Sequence, residues 1–222
     1  LAAVREALQK GANVDAQDSN GNSLLHLACE ANNLEMVELL LNYGADPNHK
    51  EETDGVTPLH LAVSLGSLYG VKLLLVRKAD PNRREKNGRT PLRRACGEGQ
   101  MDLVQSLIEH GAKVDEIDWH DRTLLHVTAA DGNAATSKLL IEFGCPLDAQ
   151  DDQLLTPLHI ACLKGHLKTA EVLMEAGASL HLRDVCGRTV EDCAEESGNV
   201  PLLLFIQSLL EESTNSEDPS SE

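Results

Sequence analysis

The chain has 222 residues, enough to bury a core, and 41% of them are apolar, so a wholly disordered chain is excluded. Aromatic residues are only 2%, which argues against stacking surfaces for single-stranded nucleic acid. The net charge of −17, with no apolar run of about 18 residues, speaks against nucleic acid, anionic lipid and a membrane span as partners.

Leu1 to Glu6 carries charges early and no apolar signal core, so no secretory signal is expected. The chain opens at Leu1 without a methionine and reads as a fragment. Residues 1–17 are expected to be the second half of a truncated repeat, because Gly11-Ala12 returns later in phase. It recurs as Gly44-Ala45, Lys78-Ala79, Gly111-Ala112, Gly144-Cys145 and Gly177-Ala178. A second marker keeps the same register. It runs from Ser23-Leu24-Leu25-His26 through Thr57-Pro58-Leu59-His60, Thr90-Pro91-Leu92-Arg93 and Thr123-Leu124-Leu125-His126 to Thr156-Pro157-Leu158-His159. Thr189-Val190-Glu191-Asp192 is a degenerate sixth copy. The starts are 34, 33, 33, 33 and 33 residues apart. A fixed period of that length is the signature of a repeat architecture.

Each marker predicts a helix start. Ser or Thr is an N-cap, and Pro fits the first helical position because its missing N–H has no partner to lose. A second helix follows with apolar periodicity, as in Leu34, Val37, Leu40 and Leu41, or Leu103, Val104, Leu107 and Ile108. Gly after it supplies a left-handed C-cap. Asn20-Gly21, Asp54-Gly55 and Asn87-Gly88 read as turns.

These motifs resemble the ankyrin repeat family over about residues 1–210. The resemblance implies an all-α solenoid of helix-turn-helix units with projecting hairpin loops. Full repeats are expected at 18–50, 51–84, 85–117, 118–150 and 151–183, with a C-terminal capping repeat at 184–210. Glu191, Asp192, Glu195 and Glu196 give that last unit a polar face. Residues 211–222 hold no large apolar side chain and are expected to be a disordered acidic tail. Repeat 118–150 is expected to be the least stable, since Thr136 and Ser137 stand where apolar residues are usual and Asp121 replaces the turn Gly.

Candidate chemistry is sparse. His26, His60, His126 and His159 share one repeat position, and the resemblance implies that they bridge neighbouring repeats. No HExxH or CxxC spacing occurs, so no metal is expected. Cys29, Cys96, Cys145 and Cys162 take small core positions, Cys186 is placed on a loop tip, and all six thiols are expected to be free in a reducing compartment. No nucleophile elbow, phosphate loop or dinucleotide fingerprint is present, so neither catalysis nor a cofactor is expected. The carboxylates read as lying mostly on solvated faces and loops. Asn48 and Asn82 lie in loops that are similar to ankyrin loops hydroxylated on Asn by an oxygen-sensing hydroxylase.

Departures from the repeat carry the functional reading. Residues 77–94 hold eight cations against Asp80 and Glu85. Lys78 replaces a Gly, Arg93 replaces the repeat His, and Arg94 replaces an aliphatic residue, at a cost in packing or hydrogen bonding. The next loop tip carries Trp119, the one tryptophan, with His120 and Arg122. Trp and Arg are enriched at binding hot spots. The expectation is a protein-interaction module, acting as an adaptor or scaffold in cytoplasm or nucleus. Arg84, Lys86, Arg89, Trp119, His120 and Arg122 would take an acidic segment of a partner protein, with the fragment monomeric. Two alternatives are a stoichiometric inhibitor of a transcription factor or kinase, and a docking domain of a larger enzyme or channel.

Overall fold

The computed structural model describes residues 1–216 and contains thirteen helices. Two compact units divide the chain, Leu1–Lys113 and Val114–Glu222. The first holds α1 (Ala2–Gln9), α2 (Leu24–Glu30), α3 (Leu34–Asn42), α4 (Pro58–Ser64), α5 (Leu68–Val76), α6 (Pro91–Gly97) and α7 (Met101–Glu109). In the second are α8 (Leu124–Ala130), α9 (Ala134–Glu142), α10 (Pro157–Leu163), α11 (Leu167–Glu175), α12 (Val190–Ser197) and α13 (Val200–Ser216). Among the described residues there is no strand, only an isolated bridge between Gln17 and Ser23.

The first helices of the repeats begin as the caps dictate. Thr90 and Thr156 accept the N–H of residue i+3, and Pro91 and Pro157 open the helices behind them. Within each unit successive first helices pack on one another, α2 on α4 and α4 on α6, then α8 on α10 and α10 on α12. Second helices pack on one another in the same order within each unit, α3 on α5 and α5 on α7, then α9 on α11. One leucine from each layer fills the space between: Leu25, Leu59, Leu92, Leu125 and Leu158 from the first helices, Leu40, Leu74, Leu107, Leu140 and Leu173 from the second, all fully buried. Each contributes about 2 kcal/mol of burial. The left-handed residue that ends a helix pair is usually Gly, but Lys78 adopts φ 67° at that position. The lysine side chain is exposed.

Two expectations need correction. Helix α13 runs to Ser216, so residues 211–216 are helical where a disordered tail was expected to have begun. Glu and Ser continue a helix that has already been nucleated by Leu202 and Ile206, which are fully buried. The rest of the expected tail, 217–222, lies outside the described residues. The polar residues of α9 also have a role that spacing alone did not show. Thr136 and Ser137 are buried, and the Ser137 hydroxyl donates to Thr128 Oγ1 at 2.8 Å, which donates in turn to the Leu125 carbonyl. A satisfied buried hydroxyl costs little. Unsatisfied hydroxyls lie elsewhere, at Ser106 in α7 and at Thr169 in α11, the latter fully buried with no partner for Oγ1. Thr169→Val removes that group at nearly constant volume, and is expected to raise stability by about 1 kcal/mol. Urea denaturation would show it, and an unchanged or lower midpoint would mean the hydroxyl is satisfied.

Candidate protein-interaction surface

The repeat histidines build the frame on which the loops sit. In His60 and His126 the ring Nδ1 accepts the backbone N–H of Thr57 (3.3 Å) and of Thr123 (3.0 Å), so Nε2 carries the proton. It donates across to the next hairpin: His60 to the Arg89 carbonyl at 3.3 Å, His126 to the Leu155 carbonyl at 2.9 Å. His26 reaches the Val56 carbonyl in the same way at 3.1 Å. Burial pushes the pKa of His26, His60, His126 and His159 down, that of His60 to about 4. In the last repeat Asp192 takes the ring's place and accepts the Thr189 N–H at 2.7 Å.

A second repeat position organises each hairpin from within. Asp18, Asp118, Asp151 and Asp184 each accept the backbone N–H groups of residues i+2 and i+4 through one oxygen. Glu51 accepts those of Thr53, Asp54 and Val56. Burial raises the Glu51 pKa, but the Thr53 hydroxyl and the three N–H donors more than offset this and hold it at about 2. Glu51, Glu85, Asp151 and Asp184 are buried, exceptions to the expectation that the carboxylates lie mostly on solvated faces and loops. The sequence does carry the signal: these residues recur at the same 33–34 residue period as the histidines, two to four positions before each turn.

Asn48 and Asn82 join adjacent hairpins. Asn48 Nδ2 donates to the Lys78 carbonyl at 3.0 Å while its Oδ1 accepts the Asp80 N–H at 2.7 Å. Asn82 repeats the pattern with Gly111 and Lys113 at 2.9 Å each.

The basic residues stand on this frame. In the first unit Arg84, Lys86 and Arg89 are exposed on one hairpin. The Arg84 guanidinium donates to the Gly88 carbonyl at 2.9 Å, and Lys86 Nζ to the Glu52 carbonyl. In the second unit Trp119, His120 and Arg122 share a hairpin, with Trp119 77% exposed. Arg122 pairs with Asp118 at 3.0 Å, and His120 Nδ1 lies 2.8 Å from Asp152 Oδ2. Such exposed pairs are worth at most about 1 kcal/mol and yield to a better partner. Two basic residues prove to be interior. Arg93 is buried, and Arg94 is half-buried, pairing with the Glu85 carboxylate and donating to Ser64 Oγ. That corrects the reading of Arg94 as a substitution without a structural reason.

The remaining chemistry is quiet. All six cysteines are free; Cys186 is exposed, and burial pushes the Cys29 and Cys162 thiols up to about 12. Among the described residues no group of three or more His, Cys, Asp or Glu is placed to hold a metal ion, and no helix is long and apolar enough to cross a membrane.

Stacked helix pairs joined by hairpins of this kind define a class of helical repeat protein whose exposed loops carry recognition. The chain belongs to the ankyrin-repeat family: a model of three ankyrin repeats matches residues 1–85, 52–118 and 115–184. The crystal structure of the human ASB11 ankyrin repeat domain is similar, with a TM-score of 0.79 and 27% identity over 92% of each chain. Curated relatives match only short segments. The ankyrin repeat and LEM domain-containing protein 1 homolog of Caenorhabditis elegans is 51% identical over 45 residues, 20% of this chain and 6% of that protein. The inactive serine/threonine-protein kinase TEX14 of Mus musculus is 38% identical over 47 residues, 21% of this chain and 3% of that protein.

Proposed function

We propose that the chain is an adaptor or scaffold module that binds an acidic segment of a partner protein through its hairpin tips and first helices. Ankyrin repeats are in general protein–protein interaction modules, and the finer assignment rests on the tips. The observation that carries it is Trp119, 77% exposed on a hairpin that its neighbours already hold in shape. A tryptophan with no packing duty in the fold is a natural anchor for a partner. The exposed Arg122 guanidinium and His120 ring sit beside it, and Lys86 and Arg89 are displayed on the first unit's basic hairpin. In a chain of net charge −17 this local reversal of sign favours an acidic partner and disfavours the polyanionic backbone of nucleic acid. The proposed role is binding without catalysis, by a monomer. Six cysteines outside any disulfide support a reducing compartment, cytoplasm or nucleus.

Affinity capture with wild type and a Lys86→Glu/Arg89→Glu/Trp119→Ala variant of unchanged melting temperature tests the reading. A subset of partners should be lost from the variant, and the segments they share should be rich in Asp and Glu. An unchanged partner list would overturn the assignment of these residues.

A further inference from the structure

The hairpin that carries Lys86 and Arg89 is built differently from the others. Everywhere else the carboxylate at this repeat position caps its own loop, as Glu51 does with three backbone N–H groups and Asp184 with two. Among the described residues, the Glu85 carboxylate accepts none of its hairpin's N–H groups, and only its backbone carbonyl takes that of Gly88 at 2.9 Å. Asn87 Oδ1 takes the Arg89 N–H instead, at 3.0 Å. The Glu85 carboxylate, with a side chain only 2% exposed, turns inward to Arg94 of α6. A second nitrogen of the same guanidinium donates to Ser64 Oγ on α4. His60 completes the base of the hairpin, with Nε2 4.0 Å from Glu85 Oε1 and 3.3 Å from the Arg89 carbonyl.

Position 94 is aliphatic in the other full repeats, as Leu27, Leu61, Val127 and Ile160. Two departures from the repeat therefore account for each other: a carboxylate released from capping and an arginine that receives it. Stability does not require the exchange, since the other hairpins form with a capping carboxylate and an apolar residue. A buried ion pair is weak evidence for stability; its best-attested return is a fixed arrangement.

We propose that Glu85 and Arg94 are positioning residues, an anchor that ties the basic hairpin to α6 and sets the direction in which Lys86 and Arg89 face an acidic partner. The inference rests on the binding role proposed above and names what orients its basic half. The pairing also commits the carboxylate next to Lys86 to the interior, while Asp80, the other carboxylate of the loop, pairs with Arg83 at 3.5 Å, so that Glu85 does not compete with the partner for Lys86 and Arg89.

The sign of the charge effect makes the test sharp. The probe is a fluorescein-labelled deca-glutamate peptide, with binding followed by anisotropy at low salt and Lys86→Glu/Arg89→Glu as the reference for loss. Glu85→Ala removes a negative charge, so charge alone predicts tighter binding. Loss of the anchor predicts affinity about tenfold weaker, because the hairpin is no longer preorganised. Glu85→Gln keeps an oxygen that accepts from Arg94, and should stay within about twofold of wild type. Amide hydrogen exchange over residues 86–89, measured without the peptide, should quicken in Glu85→Ala and hold in Glu85→Gln. If Glu85→Ala does not fold, Glu85→Leu/Arg94→Leu carries the test, since it leaves the net charge unchanged and is expected to show the same loss. Equal or tighter binding by the anchorless variants, with unchanged exchange, overturns the anchor and leaves the binding role standing. A wild type that does not bind the peptide overturns the acidic-partner reading and the anchor with it.

Discussion

His126→Ala should lower the stability of the Val114–Glu222 unit by about 3 kcal/mol, a large effect for one polar side chain. The ring is fully enclosed and both nitrogens are used: Nδ1 receives the Thr123 N–H at 3.0 Å, and Nε2 donates to the Leu155 carbonyl at 2.9 Å. Alanine leaves the buried Thr123 N–H without this acceptor and the Leu155 carbonyl with only the Asp151 N–H, and it leaves a cavity the size of the ring. The structure supplies its own comparison. At Thr189 an aspartate accepts the equivalent N–H without reaching any further. His126→Asp should therefore lose less on the cap side than alanine, while forfeiting the Leu155 bridge and placing a charge in a dry site. Urea denaturation of the three proteins decides the matter, and a loss below 1 kcal/mol for His126→Ala would show that the ring is dispensable.

Stability should also fall steadily as the pH is lowered from 7.5 to 4. Four histidines share the buried position, and burial depresses all four, His60 to about 4. Unfolded histidine takes up its proton near pH 6.5. Below that value the unfolded chain binds protons that the folded chain refuses, so the contribution of these rings is complete above about pH 6.5 and is lost as the pH falls toward about 4. The same sign follows from structure, because a protonated Nδ1 can no longer accept the Ser or Thr N–H. The loop carboxylates extend the slope: Glu51, held at about 2, contributes fully above the ordinary carboxylate range and loses that contribution as the pH falls toward 2. Asp18, Asp184 and Asp192 are lowered as well and act in the same direction. Urea midpoints at pH 7.5, 5.5 and 4.0 should descend in order. A flat profile would mean that the rings are protonated in the folded protein.

Much of this frame is legible in the sequence because the repeat writes each structural role at a fixed interval. Thr156 and Pro157 are a cap and a first-turn residue, and His26, His60 and His126 are bridges, where the period places them; the expected bridge from His159 is not made, since its Nε2 has no hydrogen-bond partner among the described residues. The buried leucines follow from the two helical faces. The hairpin carboxylates are harder to read. An Asp in a loop looks solvated in one dimension, and only the curl of the chain through residues i+2 and i+4 shows that Asp151 is enclosed by the N–H groups it accepts. Arg94 is illegible for a related reason. Its partner lies nine residues upstream on a different element, so the position reads as a lost aliphatic contact. The end of α13 escapes because a helix, once packed through Leu202 and Ile206, does not stop where apolar residues stop. The exposure of Trp119, by contrast, follows from register alone.

The capping ring has a polarity along the chain. His26 takes its N–H from its own repeat and gives its proton to Val56 in the following one, and His60 does the same toward Arg89. Asn48 and Asn82 point the same way. These residues thus finish the backbone of the hairpin about thirty positions downstream. Damage inherits that direction: a lesion made in one ring surfaces as a loosened loop about thirty residues downstream, at a place where the sequence is unaltered.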